Sequence, residues 1–161
     1  MSIPFLVAAS DVLPTARRPS RQAGSARGTA PDPCFRWSMA SAERIRAAVH
    51  RYLEAVGSGS AADVAACYSE DATVEDPVGS PPHVGRAAIE KFYGALDSAH
   101  VRTELLDLRI AGGAAAFRFR VVTDTGSRTT TIEPIDVMTF DEEARITGMR
   151  AFWSPEDVRV D

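Results

Sequence analysis

The sequence predicts an α+β domain in which three helices precede a strongly curved sheet. Three observations carry that prediction. Between residues 42 and 97, apolar residues recur at helical spacing. After residue 100 the pattern changes to the alternation of half-buried strands. The strand-like runs are separated by the turn-forming clusters Gly112-Gly113, Thr125-Gly126-Ser127 and Asp141-Glu142-Glu143. Helices followed by a run of antiparallel strands make an α+β domain. A curved antiparallel or mixed sheet wrapped over the helices leaves a cone with an apolar interior pocket.

The elements follow in order. Ser41 is a good N-cap and Glu43 suits the first turn, although Arg44 stands where a full capping box wants Glu or Gln. Ile45, Val49, Tyr52 and Val56 then form one stripe, and Gly57-Ser58-Gly59 ends the helix. A second helix is expected over residues 61–68, with Val64 and Tyr68 on one side. Residues 72–76 read as a short strand stopped by Pro77, and 78–84 as a loop. Gly85 precedes a third helix over 86–97, with the stripe Ile89, Phe92, Tyr93 and Leu96. Four strands are expected over 101–110, 114–124, 128–140 and 145–153.

The chain has 161 residues, 45% hydrophobic and 25% charged, enough for one domain with a core. The net charge of −4 is uneven: residues 1–38 hold five Arg and two Asp, so the rest carries −7. An acidic domain argues against nucleic-acid or anionic-membrane partners, and no apolar run approaches a membrane span. Cys34 and Cys67 form no metal spacing, which makes a reducing, cytoplasmic setting the expectation. Residues 1–38, rich in Pro, Arg, Ser, Gly and Ala, read as a disordered extension ahead of a domain spanning 39–161. A secretory signal lacks its basic start here, and a transit peptide fits loosely. The plainest expectation is that Met39 is the true initiator.

The chemistry-bearing residue that stands out is Asp136. In Ile132-Glu133-Pro134-Ile135-Asp136-Val137-Met138-Thr139-Phe140 it shares a strand face with Ile132, Pro134, Met138 and Phe140. A carboxylate on an interior face costs several kcal/mol unless it is paired or protonated. Asp76 shares its parity with Val74 and ends a strand before a proline, a place where turn chemistry alone is common. Tyr52, Tyr68 and Tyr93, every tyrosine of the chain, point inward by pattern and favour a hydrogen-bonded phenol network over three separate core rings. Trp153 reads as core, Cys67 as a small core residue, and Asp141-Glu142-Glu143 as a solvated turn. His50, His83 and His100 fall at or near the surface and form no triad or metal set.

His50-Arg51-Tyr52, Tyr68-Ser69-Glu70-Asp71-Ala72-Thr73-Val74-Glu75-Asp76-Pro77-Val78-Gly79, Gly85-Arg86 with Phe92-Tyr93, Pro134-Ile135-Asp136-Val137-Met138, and Met149-Arg150-Ala151-Phe152-Trp153-Ser154 together resemble the bacterial Δ5-3-ketosteroid isomerases. The resemblance covers residues 42–157. It implies the cone-shaped fold of the nuclear-transport-factor-like superfamily, which hosts many activities. It implies Asp76 as general base, with Tyr52 and a protonated Asp136 as the two oxyanion-hole donors. The raised pKa of that second acid is a known property of the family. Tyr68 and Tyr93 are implied to extend a hydrogen-bond chain behind Tyr52, and Trp153 to donate its indole N–H to Asp76. Val56, Phe92, Leu96, Phe117, Phe119, Met138, Met149 and Ala151 are implied to line an apolar steroid slot.

The implied reaction moves a carbon–carbon double bond of a 3-oxo-Δ5-steroid into conjugation. A base removes a proton from carbon 4 and returns it to carbon 6 through a dienolate, whose oxygen two donors stabilise. Asp76 is expected to stay ionised near the pocket mouth. No metal, nucleotide or redox cofactor is expected, since no phosphate loop or metal-ligand cluster is present. The alternatives are a polyketide cyclase or dehydratase on the same cone, a non-catalytic steroid- or lipid-binding module, and a dimerisation domain. A homodimer is expected through the outer sheet face carrying Thr129, Thr131, Glu133, Ile135 and Val137.

Overall fold

A computed structural model describes residues 40–160. The expected extension over 1–38 and the initiator question at Met39 lie outside these residues.

Helix α1, Ala42–Ser58, starts at Ser41, whose hydroxyl accepts from the Arg44 N–H at 3.3 Å. Its stripe Ile45, Val49, Tyr52 and Val56 is buried, as the spacing predicts. Helix α2, Ala61–Ala66, starts at Ser60 with a complete capping box to Asp63. It ends before Tyr68, which corrects the expected helix over 61–68. Tyr68 opens strand β1, Tyr68–Glu75, and its inward direction comes from the strand. A two-residue strand β2, His83–Val84, runs antiparallel to β1 inside the segment expected to be loop. Helix α3, Arg86–Tyr93, passes into a 3-10 turn, Gly94–Ser98, instead of continuing as α-helix.

The remaining strands are β3, His100–Ala111; β4, Ala114–Asp124; β5, Thr129–Ile132; β6, Ile135–Phe140; β7, Ile146–Phe152; and β8, Arg159–Val160. The single strand expected over 128–140 is broken at Glu133-Pro134, because proline brings no N–H to a ladder. Both halves still pair with one edge of β4: Val121↔Ile132 in β5, Phe117↔Asp136 in β6. The Phe119 N–H to Pro134 carbonyl bond, 3.4 Å, bridges the break. The other edge of β4 takes β3. On the far side β6 pairs with β7 antiparallel, and β7 pairs with β1 in parallel, so the sheet is mixed.

Register shifts at Leu105/Asp107, Thr139/Phe140 and Tyr68/Thr73 bend this sheet. It curls without closing. Its concave face meets α1, α2 and α3 over a core that includes Ile89, Phe119, Val121, Ile132, Met138, Ile146 and Met149. Parity holds from β5 through the break into β6: Ile132, Pro134, Asp136 and Met138 are buried, while Ile135 faces out at 46% exposure.

Candidate active site

The site is built where three inner-face strand positions meet two helices. Asp136 of β6 pairs with Phe117 of β4 on one side and Ala151 of β7 on the other. Asp76 lies one residue beyond the Glu75↔Arg150 pair of β1 and β7. The two acids therefore flank Ala151, with backbones two strand spacings, about 10 Å, apart. Ala151 places only a methyl between them.

The chain around Asp76 is pinned from outside. Glu75 accepts from the Gly79 N–H at 2.7 Å and from the Arg150 guanidinium at 2.9 Å. The Val78 N–H donates to the Ala151 carbonyl at 2.8 Å. Trp153, two residues past Ala151 on the same parity, is half-buried and donates its indole N–H to Asp76 Oδ1 at 2.5 Å. The other oxygen, Oδ2, is buried without a partner among the described residues, as is the Ser80 hydroxyl of the same loop.

Asp76, at the end of β1, is 5% exposed. Burial pushes its carboxyl up to about 7, and the Trp153 bond pulls against that rise. Asp136, 1% exposed, goes further. Burial first, then the charge of Asp76, hold it well above the carboxylate range, while the Tyr52 phenol opposes the rise. Asp136 does not raise Asp76 in return, as a neutral acid exerts no net charge while Asp76 titrates. Neither oxygen of Asp136 has a hydrogen-bond partner among the described residues.

Tyr52 reaches the same place from α1. Its ring stands edge-on to Phe117, centroids 6.4 Å apart, and Phe117 is the strand neighbour of Asp136. Its hydroxyl bonds Tyr93 at 3.1 Å, and Tyr93 bonds Tyr68 at 3.3 Å. The order is thus Tyr52–Tyr93–Tyr68, with Tyr93 in the middle. Burial raises all three phenols well above their usual range, so each keeps its proton.

Of the expected slot residues, Phe117, Phe119, Met138, Met149 and Ala151 lie in the core beside the acids, and Phe92 packs on Tyr93 at 5.0 Å. Val56 and Leu96 belong to the same core and also line a cavity at the C-terminal end of α1. Two supporting residues escaped the sequence. Glu75 pins the Asp76 loop, and Arg86 donates twice to the Tyr68 carbonyl, at 3.2 and 2.7 Å, fixing that strand start on α3. Both are surface-type charges holding backbone, and spacing gives no sign of such a role. Among the described residues no His, Cys, Asp and Glu cluster could hold a metal ion, and no helix is long and apolar enough to cross a membrane.

Known proteins share this architecture. The SnoaL-like domain family matches residues 49–149. A "Steroid Delta-isomerase" of Nocardioides simplex is 60% identical over 116 residues, covering 72% of this chain and 94% of that protein. Among solved structures, the epoxide hydrolase/cyclase-like enzyme SalBIII of polyether salinomycin pyran ring formation superposes with TM-score 0.69 at 28% identity. That match covers 74% of this chain and 97% of SalBIII. RV0760c from Mycobacterium tuberculosis, at 14% identity and TM-score 0.69, shares the fold over 76% of this chain and all of its own. The family match and the extent of identity show that the chain belongs to the steroid Δ-isomerase family of SnoaL-like domains.

Proposed function

We propose that the protein isomerises 3-oxo-Δ5-steroids to 3-oxo-Δ4-steroids, with Asp76 as the shuttling base and Tyr52 and neutral Asp136 as oxyanion donors. The observation that carries this reading is the division of two buried acids around Ala151. One titrates near neutrality, and the other is held protonated with both oxygens unpartnered. A buried acid without a partner is costly, so the arrangement favours a ligand that accepts its proton in a hydrogen bond. A 3-ketone oxygen, gaining charge as the dienolate forms, is such an acceptor.

The steps follow from proton positions. Ionised Asp76 takes the carbon 4 proton, charge moves to the ketone oxygen, and Tyr52 and Asp136 strengthen their hydrogen bonds to it without losing their protons. Asp76 then returns the proton to carbon 6 across the same face. If the Tyr52 proton points at substrate, Tyr93 donates to Tyr52 and Tyr68 donates to Tyr93. The phenol chain thereby offsets part of the charge drawn onto Tyr52. The Trp153 N–H holds the Asp76 carboxylate in position while leaving Oδ2 free for the proton.

The similarity to SalBIII favours a second reading, in which the same acid and base open an epoxide and close a ring. A binding module without catalysis is disfavoured by two acids in a dry slot. The test is direct: 5-androstene-3,17-dione is mixed with the protein and the conjugated-enone absorbance followed. Turnover is expected, with Asp76→Asn losing at least 10³-fold in kcat while still binding steroid. Asp136→Asn should lose less, as an amide still donates. A folded wild-type protein without turnover would favour the cyclase or binding readings, and an unchanged rate for Asp136→Asn would remove its oxyanion role.

We further propose a homodimer through the outer sheet face. Ile135 and Phe152 are register partners there, 46% and 44% exposed, with the Arg150 guanidinium 5.4 Å over the Phe152 ring. Exposed neighbouring apolar side chains of this size favour a partner surface.

A further inference from the structure

We propose that a cavity of about 680 Å³ at the C-terminal end of α1 holds the ring-D end of the steroid, where His100 hydrogen-bonds an oxygen on that ring. This rests on the isomerase reading of the inner site and adds the outer one. Val56, Leu96 and Val101 form the apolar part of the cavity; Ser60, Asp97 and His100 belong to its polar part.

Two elements that carry inner-site residues also reach this cavity. Val56 is the next turn of the α1 stripe after Tyr52, and Leu96 follows Tyr93 by three residues through the 3-10 turn. From Tyr52 to Ser58 the helix rises about 9 Å, comparable to the long axis of a fused four-ring nucleus. A ketone held between Tyr52 and Asp136 at the dry end therefore sends the opposite end of the molecule to this cavity. Apolar residues give way to polar ones along the same path, matching a hydrocarbon nucleus with an oxygen at each end.

Most polar groups around the cavity are already engaged. The Ser58 hydroxyl donates to the Glu54 carbonyl, the Ser60 hydroxyl donates to Asp63, and Asp97 Oδ1 accepts from the Ala61 N–H. His100, the first residue of β3 and paired with Asp124, is exposed and makes no side-chain hydrogen bond among the described residues. An imidazole carries a ring N–H in either protonation state, so it can donate to a 17-ketone or 17-hydroxyl.

The experiment compares steady-state kinetics on 5-androstene-3,17-dione and on 5-androsten-3-one, which lacks the ring-D oxygen. His100→Leu should lower kcat/KM for the dione about 5–10-fold, the loss of one hydrogen bond, and leave the deoxy steroid unchanged. Ala99→Trp, projecting bulk into the cavity, should raise KM for both steroids at least tenfold with little change in kcat. Ala99→Leu replaces it if circular dichroism shows misfolding, with the same expected direction. Equal effects of His100→Leu on both steroids would overturn the His100 assignment, and an unchanged KM in the Ala99 variants would overturn the cavity assignment. Wild-type protein inactive on both steroids would remove the inner-site reading and this proposal with it. Wild-type activity with unaltered variants would remove this proposal alone.

Discussion

Asp76 and Asp136 are the same residue type on one concave face, yet their surroundings separate them. Asp76 has an indole donor and a rise to about 7; Asp136 has hydrocarbon, a neighbouring charge and a higher rise. Asp76 titrates at a raised pKa in the folded chain and near 3.8 when unfolded. The folded state therefore holds its proton more tightly, and stability falls as pH rises from about 4 to about 7, then levels. Asp76→Asn lacks that penalty. Urea denaturation should show the variant more stable than wild type at pH 8, by up to a few kcal/mol, with the gain vanishing toward pH 4. Activity runs the opposite way: kcat/KM of the wild type should fall as pH drops through about 7, because the base must be ionised. Asp136 was legible as an acid among Ile132, Pro134 and Met138 because strand parity needs only sequence. The burial of Asp76 was not, because it depends on the Glu75–Gly79 and Val78–Ala151 bonds that fold the loop inward.

At the scale of elements, the hydroxyls of the phenol chain join α1, α3 and β1. Tyr93, in the middle, bonds both neighbours; Tyr68, at the end, bonds one. Tyr93→Phe should therefore cost more than Tyr68→Phe, in turnover and in thermal stability, by about 1–3 kcal/mol against about 1 kcal/mol. Calorimetry and steady-state kinetics on the two variants check the order. The three tyrosines were legible as inward-facing, but the helical reason for Tyr68 was wrong. Period 3.6 and period 2 cannot be told apart over so short an apolar run, and α2 ends at Ala66. The break of the expected 128–140 strand was signalled by Pro134. Continued alternation across the proline hid it, because both halves keep the same inner face.

At the scale of the whole molecule, the α+β class was legible from the change of period after residue 100. The parallel pairing of β1 with β7 was not, since pairing between residues 75 or more positions apart leaves no local pattern. It is nonetheless the pairing that sets Asp76 beside Ala151 and so beside Asp136. The outer face carries a separate prediction. Sedimentation should give a dimer for the wild type, and Phe152→Glu, placing a charge beside exposed Ile135, should weaken it to monomer at micromolar concentration. A wild-type monomer would count against that interface without touching the inner site. The inner site stands on one protonation state, that of Asp136 at neutral pH. Infrared difference spectroscopy of wild type against Asp136→Asn reads it directly. The wild type should show a protonated-carboxyl stretch at pH 7 that the variant lacks. A spectrum with Asp136 already ionised at pH 7 would contradict the neutral oxyanion donor.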